Sequence, residues 1–344
     1  MEIRNHTTNM QMHPKLVEAL GYARQERAFD AQVVLQAKAD LLNSYYEQAG
    51  LSSAVIAISG GIDSAVVLGV VKYASQLPNS PIQHIVAITL PAIMSRGVTG
   101  QDTATRLAYQ VCEAFDVETL RIDVGPIVES IINSVERELG HPGLPENIGT
   151  ADPKPTWARG QAVSYARTPT YYYATSVLSA QGRPGLVIGT TNLSEGGYLG
   201  YFGKASDGMV DVQLISDLFK SEVYEVGRLL GVPAEILERA PTGDMFDATT
   251  DEVVFGAPYD FVELFTHMLW STDCRTMVEQ LAHEHEVDTG DGSAVAQLNE
   301  YWENLERMHR YNAHKYLGRS PAVHLDIMPA GVKNGWNNPA WRPE

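Results

Sequence analysis

The chain has 344 residues, with 42 Asp+Glu against 25 Lys+Arg for a formal net charge of −17, ten His and two Cys. Apolar residues make up 44% and charged residues 19%, the balance of a packed globular protein with a sizeable core. No stretch approaches the ~18 uninterrupted apolar residues of a membrane helix, and MEIRNHTTNMQMHPK has no signal-peptide core. The two cysteines, Cys112 and Cys274, are too few and too scattered to make a structural zinc cluster or a disulfide framework. The expectation is a reducing, cytoplasmic protein with no membrane and no broad nucleic-acid surface. Local charge still allows an anionic small molecule.

Residues 1–28 read as a polar lead-in. FDAQVVLQAKADLLNSYYEQA (29–49) sets Phe29, Val33, Val34, Ala37, Leu41 and Tyr45 on one helical stripe, and Gly50 is placed to stop the helix. AVIAI (54–58) is an apolar run of strand length, followed by the turn SGGIDS (59–64) and a helix-compatible segment (65–77). HIVAITL (84–90) reads as a strand before a helix at 101–114, and VETLRIDV (117–124) as a strand before a helix at 127–139. GLVIGT (185–190) is a fourth strand, following a helix near 170–180. Apolar strands alternating with helices predict an α/β fold, a Rossmann-like parallel sheet flanked by helices on both faces. The Pro- and Gly-rich stretch 140–160 reads as a long loop, as does 239–260, and 258–317 reads as a helical C-terminal segment. The tail, 318–344, carries four prolines and two tryptophans and reads as extended, pinned by aromatic contacts.

SGGIDS lies between a buried strand and a helix. Gly60 and Gly61 allow a tight turn that brings backbone N–H groups to a ligand, and the helix N-terminus adds its positive end. Ser59 and Ser64 offer hydroxyls. Asp63 adds a negative charge, which suits an anion site if Mg²⁺ bridges it to phosphate oxygens. The plainer alternative is a glycine turn with Asp63 and Ser64 as caps. Thr190 and Glu195 follow the fourth strand at its C-terminal end, where ligands collect in open α/β sheets. Glu195 there is either a second Mg²⁺ carboxylate or a residue complementing a helix dipole. Lys220 falls just inside a helix N-terminus, where the macrodipole disfavours a cation, and a phosphate partner would resolve that.

SGGIDS resembles the pyrophosphate loop SGGxDS of the N-type ATP pyrophosphatase (PP-loop) family, an adenine nucleotide alpha hydrolase-like fold. Within that family, IGTTNLSEGGYLGYFGKASDGMVDV (188–212) resembles the NAD synthetase segment GTxNxSE…GYFTKYGDGxxD. DLFKSEVYEVGRLLGVPAEILERAPTGD (217–244) resembles DLxKxxVxxLAxxLGxPxxIxxxxPTAD. YARTPT (165–170) resembles KARTRM, with Arg167 at the first arginine and Pro169 at the second, and AHKYLGRSP (313–321) resembles HKRxxPP. The chain is therefore similar to the ammonia-dependent NAD synthetases over about 29–330, read as a single domain. Residues 331–344 form a tail without a counterpart. Gly196–Gly197 add one residue to the usual gap before Gly200, which predicts a bulge in that helix.

The resemblance implies ATP-dependent amidation of deamido-NAD by ammonia through an acyl adenylate, giving NAD, AMP and pyrophosphate. It implies ATP binding by Ser59, Gly60, Gly61, Asp63, Ser64, Thr190, Lys220 and Thr242. Mg²⁺ would sit on Asp63 and Glu195. Substrate contacts fall to Arg167, Lys204, Asp207, Asp211, His314 and Lys315. Asp63, Lys220 and Asp207 are the catalytic candidates, Asp207 as the ammonium site. The resemblance also implies a homodimer. Only ~50 residues precede AVIAI, too few for a glutaminase domain, so ammonia is expected free or from a separate glutaminase subunit. The alternatives are a related amide ligase for another small carboxylic acid, a tRNA-modifying member, and an inactive nucleotide-binding module.

Overall fold

The computed structural model describes residues 10–94, 97–98, 102–139, 153–243, 250–315 and 320–328. The chain enters through two helices, α1 (Pro14–Arg27) and α2 (Ala31–Ala49). Pro14 starts α1 with its φ already helical, and His13 Nδ1 accepts from the Lys15 N–H at 3.2 Å. Asp30 caps α2 by accepting from the Gln32 and Val33 N–H groups, and Gly50 ends it in the left-handed conformation. Strands and helices then alternate: β1 (Ser53–Ala57), α3 (Ile62–Gln76), β2 (His84–Thr89), β3 (Ile93–Met94), β4 (Gly97–Val98), α4 (Asp102–Ala114) and β5 (Thr119–Arg121). Next come α5 (Gly125–Glu138), α6 (Pro153–Ala180), β6 (Gly185–Gly189), α7 (Leu193–Gly196), β7 (Val212–Gln213) and α8 (Lys220–Leu230). The chain continues through α9 (Ala234–Leu237), α10 (Asp251–Phe255), α11 (Tyr259–Trp270), α12 (Thr272–Thr289), α13 (Ser293–Asn312) and β8 (Val323–His324).

Six strands form one parallel sheet in the order β5-β2-β1-β6-β7-β8, and β3 pairs with β4 separately. In β1, Ala54 and Ile56 join one buried cluster with residues of α2, α3 and α8, while Val55 joins another with residues of α5 and α6. That is the period-two alternation of a strand covered on both faces. β1 pairs with β2 on one side and β6 on the other. The chain leaves β1 toward one edge and returns later on the opposite side. This leaves a crevice at the C-terminal ends of β1 and β6. A further core is made by α1, α11, α12 and α13 around Leu16, Phe261, Phe265 and Leu305.

Several sequence expectations need correction. Much of the stretch read as a polar lead-in is helix α1, because Leu16, Ala19, Leu20 and Ala23 make a narrow stripe that is fully buried against the C-terminal helices. The buried face of α2 carries Val34, Leu35, Lys38, Ala39, Leu42 and Tyr46, whereas Val33 is 64% exposed. The expected stripe was turned by about one residue because Lys38 faces inward. Helix α6 begins at Pro153, so the stretch 140–160 is not loop throughout, and 140–152 lie outside the described residues. The helix also runs through Pro169 rather than starting after it, with one backbone hydrogen bond forgone. The turn-rich stretch 239–260 contains α10. Of the tail, 323–324 form a sheet strand, while Trp336 and Trp341 lie outside the described residues.

Lys38 is the largest surprise in the core. Its Nζ donates to Asp217 Oδ1 at 2.5 Å and to the Leu325 carbonyl at 2.7 Å. Asp217 Oδ2 accepts from the Ile327 and Met328 N–H groups at 2.7 and 2.9 Å. One buried ion pair thus ties α2 to the approach to α8 and to the chain after β8. Removing one partner strands the other charge in the core, which costs about 3–5 kcal/mol. Lys38→Met should lower unfolding stability by about that amount, measured by urea denaturation; a shift near zero would show that the pair adds nothing.

Candidate active site

The turn after β1 begins with Ser59, whose N–H donates to Ser64 Oγ at 3.2 Å and whose Oγ accepts from the Gly61 N–H at 3.2 Å. Ser64 Oγ also donates to the Gly61 carbonyl at 3.1 Å. The hydroxyls therefore brace the loop. Gly61 is the N-cap of α3 and no side chain caps the helix, so its first-turn N–H groups stay open toward the crevice. Gly60 has φ +85°, and a Cβ there would run into the Ala104 carbonyl of α4. Only glycine lets the loop lie this close to the neighbouring helix.

The end of β6 supplies the other wall. Asn192 caps α7 by accepting from the Glu195 N–H at 3.1 Å, and its Nδ2 donates to Asp63 Oδ1 at 2.8 Å. The Lys220 N–H donates to Ser194 Oγ at 3.0 Å, which fixes the start of α8 against α7. The added residue of Gly196–Gly197 makes no bulge: α7 stops at Gly196, and a Cβ on Gly197 would stand 2.6 Å from the Leu193 carbonyl oxygen.

Lys220 is not a solvated lysine. Its side chain is 4% exposed, and Nζ donates to Asp63 Oδ2 at 2.6 Å and to Glu195 Oε1 at 2.7 Å. Tyr259 OH lies 2.7 Å from Glu195 Oε1 and 2.9 Å from Asp251 Oδ2, and Tyr201 OH donates to Asp251 Oδ1 at 3.1 Å. Burial opposes the charge on Lys220, but the two carboxylates overcome it and hold the ammonium well above the usual lysine range. Burial pushes Asp63 upward against the pull of Lys220, and the Glu195 charge adds to the rise. At Glu195 burial is outweighed by Lys220 and by hydrogen bonds from Tyr259 and Asn192, so this carboxyl is lowered. Asp251, buried and facing Glu195, is pushed up to about 6.

These groups open into a cavity of about 710 Å³, the size that encloses a nucleotide-scale ligand. Its wall includes Ser59, Gly60, Gly61, Asp63, Thr190 and Glu195 from the strand ends. Lys220, Thr242, Arg167, Asp207 and Lys315 complete the expected residues that it brings together. Arg167 Nε donates to the Leu90 carbonyl at 3.3 Å, and Lys315 Nζ to the Phe202 carbonyl at 3.1 Å. Burial lowers Lys315, with Asp207 close enough to oppose the shift. Asp207 Oδ2 accepts from the Gly203 N–H at 2.9 Å and from Ser206 Oγ at 3.2 Å.

Four expected residues do not line this cavity. Ser64 is spent inside the loop. Asp211 accepts from the Val187 N–H at 2.8 Å and so clips the chain to β6. Lys204 and His314 are exposed on turns. The sequence reading missed Asn192, Tyr201, Asp251, Tyr259, Arg239 and Arg307. The first was visible as a cap-type residue three before Glu195. Asp251 and Tyr259 lay in a stretch already marked as turn-rich, but Arg307 looks like any charged helix residue.

The two acceptors at Lys220 Nζ are carboxylate oxygens, the hard ligands that suit Mg²⁺. The residues therefore fit a divalent cation held by Asp63 and Glu195, with the lysine adjacent.

A family model described as NAD synthase matches residues 34–307. The chain is 30% identical over 274 residues to the NH(3)-dependent NAD(+) synthetase of Alkaliphilus oremlandii, covering 80% of this chain and 90% of that protein. It is 33% identical over 215 residues to the protein of the same description from Syntrophomonas wolfei, covering 62% of this chain and 75% of the other. Among solved structures it is similar to an NMN synthetase from Francisella tularensis (TM-score 0.60, 25% identity, 84% of this chain and 96% of that one). It shares its fold with an NH3-dependent NAD synthetase from Campylobacter jejuni (TM-score 0.56, 20% identity, 84% and 96%).

Gly60→Ala tests the loop geometry. Strain of about 1–3 kcal/mol at a left-handed position should appear as roughly five- to 150-fold weaker ATP binding by calorimetry. Unchanged affinity would mean that the loop yields freely.

Proposed function

The chain belongs to the NAD synthase family, and from that premise we propose that it joins ammonia to the nicotinate carboxylate of deamido-NAD, using ATP. A carboxylate resists nucleophiles because resonance and charge lower its electrophilicity. Its oxygen therefore first attacks the α-phosphorus of ATP, releasing pyrophosphate and forming an acyl adenylate. Ammonia then attacks the acyl carbon, and AMP leaves to give NAD.

The single observation that carries this reading is the buried Lys220–Asp63–Glu195 cluster beside the open N-terminus of α3. The Gly60–Gly61 backbone and the helix end would receive phosphate oxygens. Lys220 has three donors, of which two reach the carboxylates, so it stands ready to neutralise charge building on pyrophosphate. Mg²⁺ on Asp63 and Glu195 would neutralise phosphate charge when bound. Thr190 and Thr242 line the same cavity and are assigned to ATP. Arg167 and Lys315 are assigned to the anionic dinucleotide, and Asp207 to ammonium and its departing proton.

Ammonia is taken to come from solution or a separate glutaminase subunit. Burial raises the thiols of both Cys112 and Cys274, which suppresses the thiolate that a glutaminase nucleophile requires. Two unpaired thiols also support a reducing, cytoplasmic setting. Among the described residues no helix is long and apolar enough to cross a membrane.

Incubation with ATP, Mg²⁺, ammonium and deamido-NAD should yield NAD, AMP and pyrophosphate, resolved by chromatography. Lys220→Met should lower turnover by roughly 10²–10³-fold with the fold retained by circular dichroism. Absence of NAD from the native chain would overturn the assignment. The corresponding mononucleotide acid, offered in parallel, reports whether the second nucleotide half is needed.

The homodimer is supported by an apolar stripe along α5. Ile127, Ile131, Val135 and Leu139 recur every four residues and are 41%, 38%, 50% and 68% exposed, and Tyr173 on the adjoining α6 is 73% exposed. Stripes of this kind mark association surfaces. Ile131→Asp with Val135→Asp should convert dimer to monomer in sedimentation velocity. An unchanged sedimentation coefficient would place the interface elsewhere.

A further inference from the structure

Three ligand-type side chains that do not line the catalytic cavity converge from separate segments: His13 at the N-cap of α1, His285 in the last turns of α12, and Asp291 in the turn before α13. A donor atom from each lies within 4.8 Å of the others. His285 Nε2 stands 3.6 Å from Asp291 Oδ2, and the two imidazole rings are 4.9 Å apart between centroids. We propose that His13, His285 and Asp291 form a binding site for one divalent transition-metal ion of the zinc class, clamping α1 onto the α12–α13 turn.

Two imidazoles and one carboxylate are a ligand set for Zn²⁺, Ni²⁺ or Cu²⁺ rather than for Mg²⁺ or Ca²⁺. In a tetrahedral site with bonds of ~2.0–2.1 Å, neighbouring ligand atoms lie about 3.3 Å apart. The His285–Asp291 separation is already close to that edge and long for a hydrogen bond. Small side-chain rotations close the remainder, because all three residues are partly or fully exposed.

The backbone around the three residues is held independently of any ion. Asp291 Oδ1 accepts from the Ser293 N–H at 2.9 Å, leaving Oδ2 as the ligand atom. The Asp291 N–H donates to Thr289 Oγ1 at 3.1 Å, whose hydroxyl donates to the His285 carbonyl at 2.6 Å. The His13 N–H donates to Gln297 Oε1 at 2.5 Å, and Gln297 Nε2 returns to the Gln11 carbonyl at 3.0 Å. Outer hydrogen bonds of this kind fix ligand orientation. His13 Nδ1 now accepts from the Lys15 N–H. Binding through Nε2 would move the ring proton to Nδ1 and give up that cap, whereas binding through Nδ1 would replace it. The ion would fasten the start of α1, whose other end carries Arg27, the partner of Glu222 on α8.

The full chain, stripped with a chelator and kept in excess Mg²⁺ to occupy hard-oxygen sites, is titrated with Co²⁺ by visible absorption and with Zn²⁺ by thermal melting. The expected result is one ion per chain, a tetrahedral Co²⁺ spectrum displaced by Zn²⁺, and a raised melting temperature. His285→Ala and Asp291→Asn should each weaken binding by roughly tenfold or more, and His13→Ala should remove the melting shift, all three remaining folded by circular dichroism. A native chain that binds no Zn²⁺, leaving a histidine–aspartate ion pair only, would overturn the proposal. So would His285→Ala and Asp291→Asn chains that bind Zn²⁺ as tightly as the native one.

Discussion

A buried ammonium shared by two carboxylates governs this structure. Lys220 meets Asp63 at 2.6 Å and Glu195 at 2.7 Å, and the three residues arrive on α8, α3 and α7. Burying such charges costs several kcal/mol per ion, which attraction offsets only when the remaining polar atoms are also satisfied. Asn192 and Tyr259 satisfy them. The cluster is thus an expensive way to hold a fold but an effective way to keep a cation and two hard-oxygen ligands poised beside open backbone donors.

The same region is braced from behind. Glu222, two residues after Lys220, pairs with Arg27 of α1 in a bidentate arrangement, and burial still pushes its carboxyl up to about 7. Asp217, three residues before Lys220, pairs with Lys38 of α2. Arg27 also donates to the Asp217 carbonyl at 2.7 Å and stacks over Phe219. The start of α8 therefore depends on the two N-terminal helices, of which α1 lies before the part matched by the family model. The overall charge of −17 is compatible with anionic ligands because Arg167, Lys220, Arg239, Arg307 and Lys315 all face one cavity.

Local pattern carried the sheet. β1, β2 and β6 were legible because strands covered on both faces are continuous apolar runs, and the loop after β1 was legible because glycines and a following helix leave few other conformations. Helix α1 was not legible, since four small or aliphatic residues among charged ones look like a solvated segment until a partner face covers them. Lys38 misled for the opposite reason: hydropathy places lysine outside, and only Asp217, 179 positions away, makes its burial tolerable. The helix expected near 170–180 is longer than read: α6 starts at Pro153 and continues through Pro169, where neighbouring packing outweighs one missing hydrogen bond.

The sequence by itself determined β1, β2, β5 and β6 with the helices between them, the phosphate-type loop and the resemblance that picks out Asp63, Glu195, Lys220 and Thr242. These depend on neighbours within a few residues, where backbone preference and hydrophobic period act. The tertiary structure alone decided that Lys220 lies between the two carboxylates, that Asp211 is a brace, and that Tyr259 and Asp251 stand behind Glu195. Those facts depend on desolvation and on partners far apart in the chain, and neither is encoded in any short window of residues.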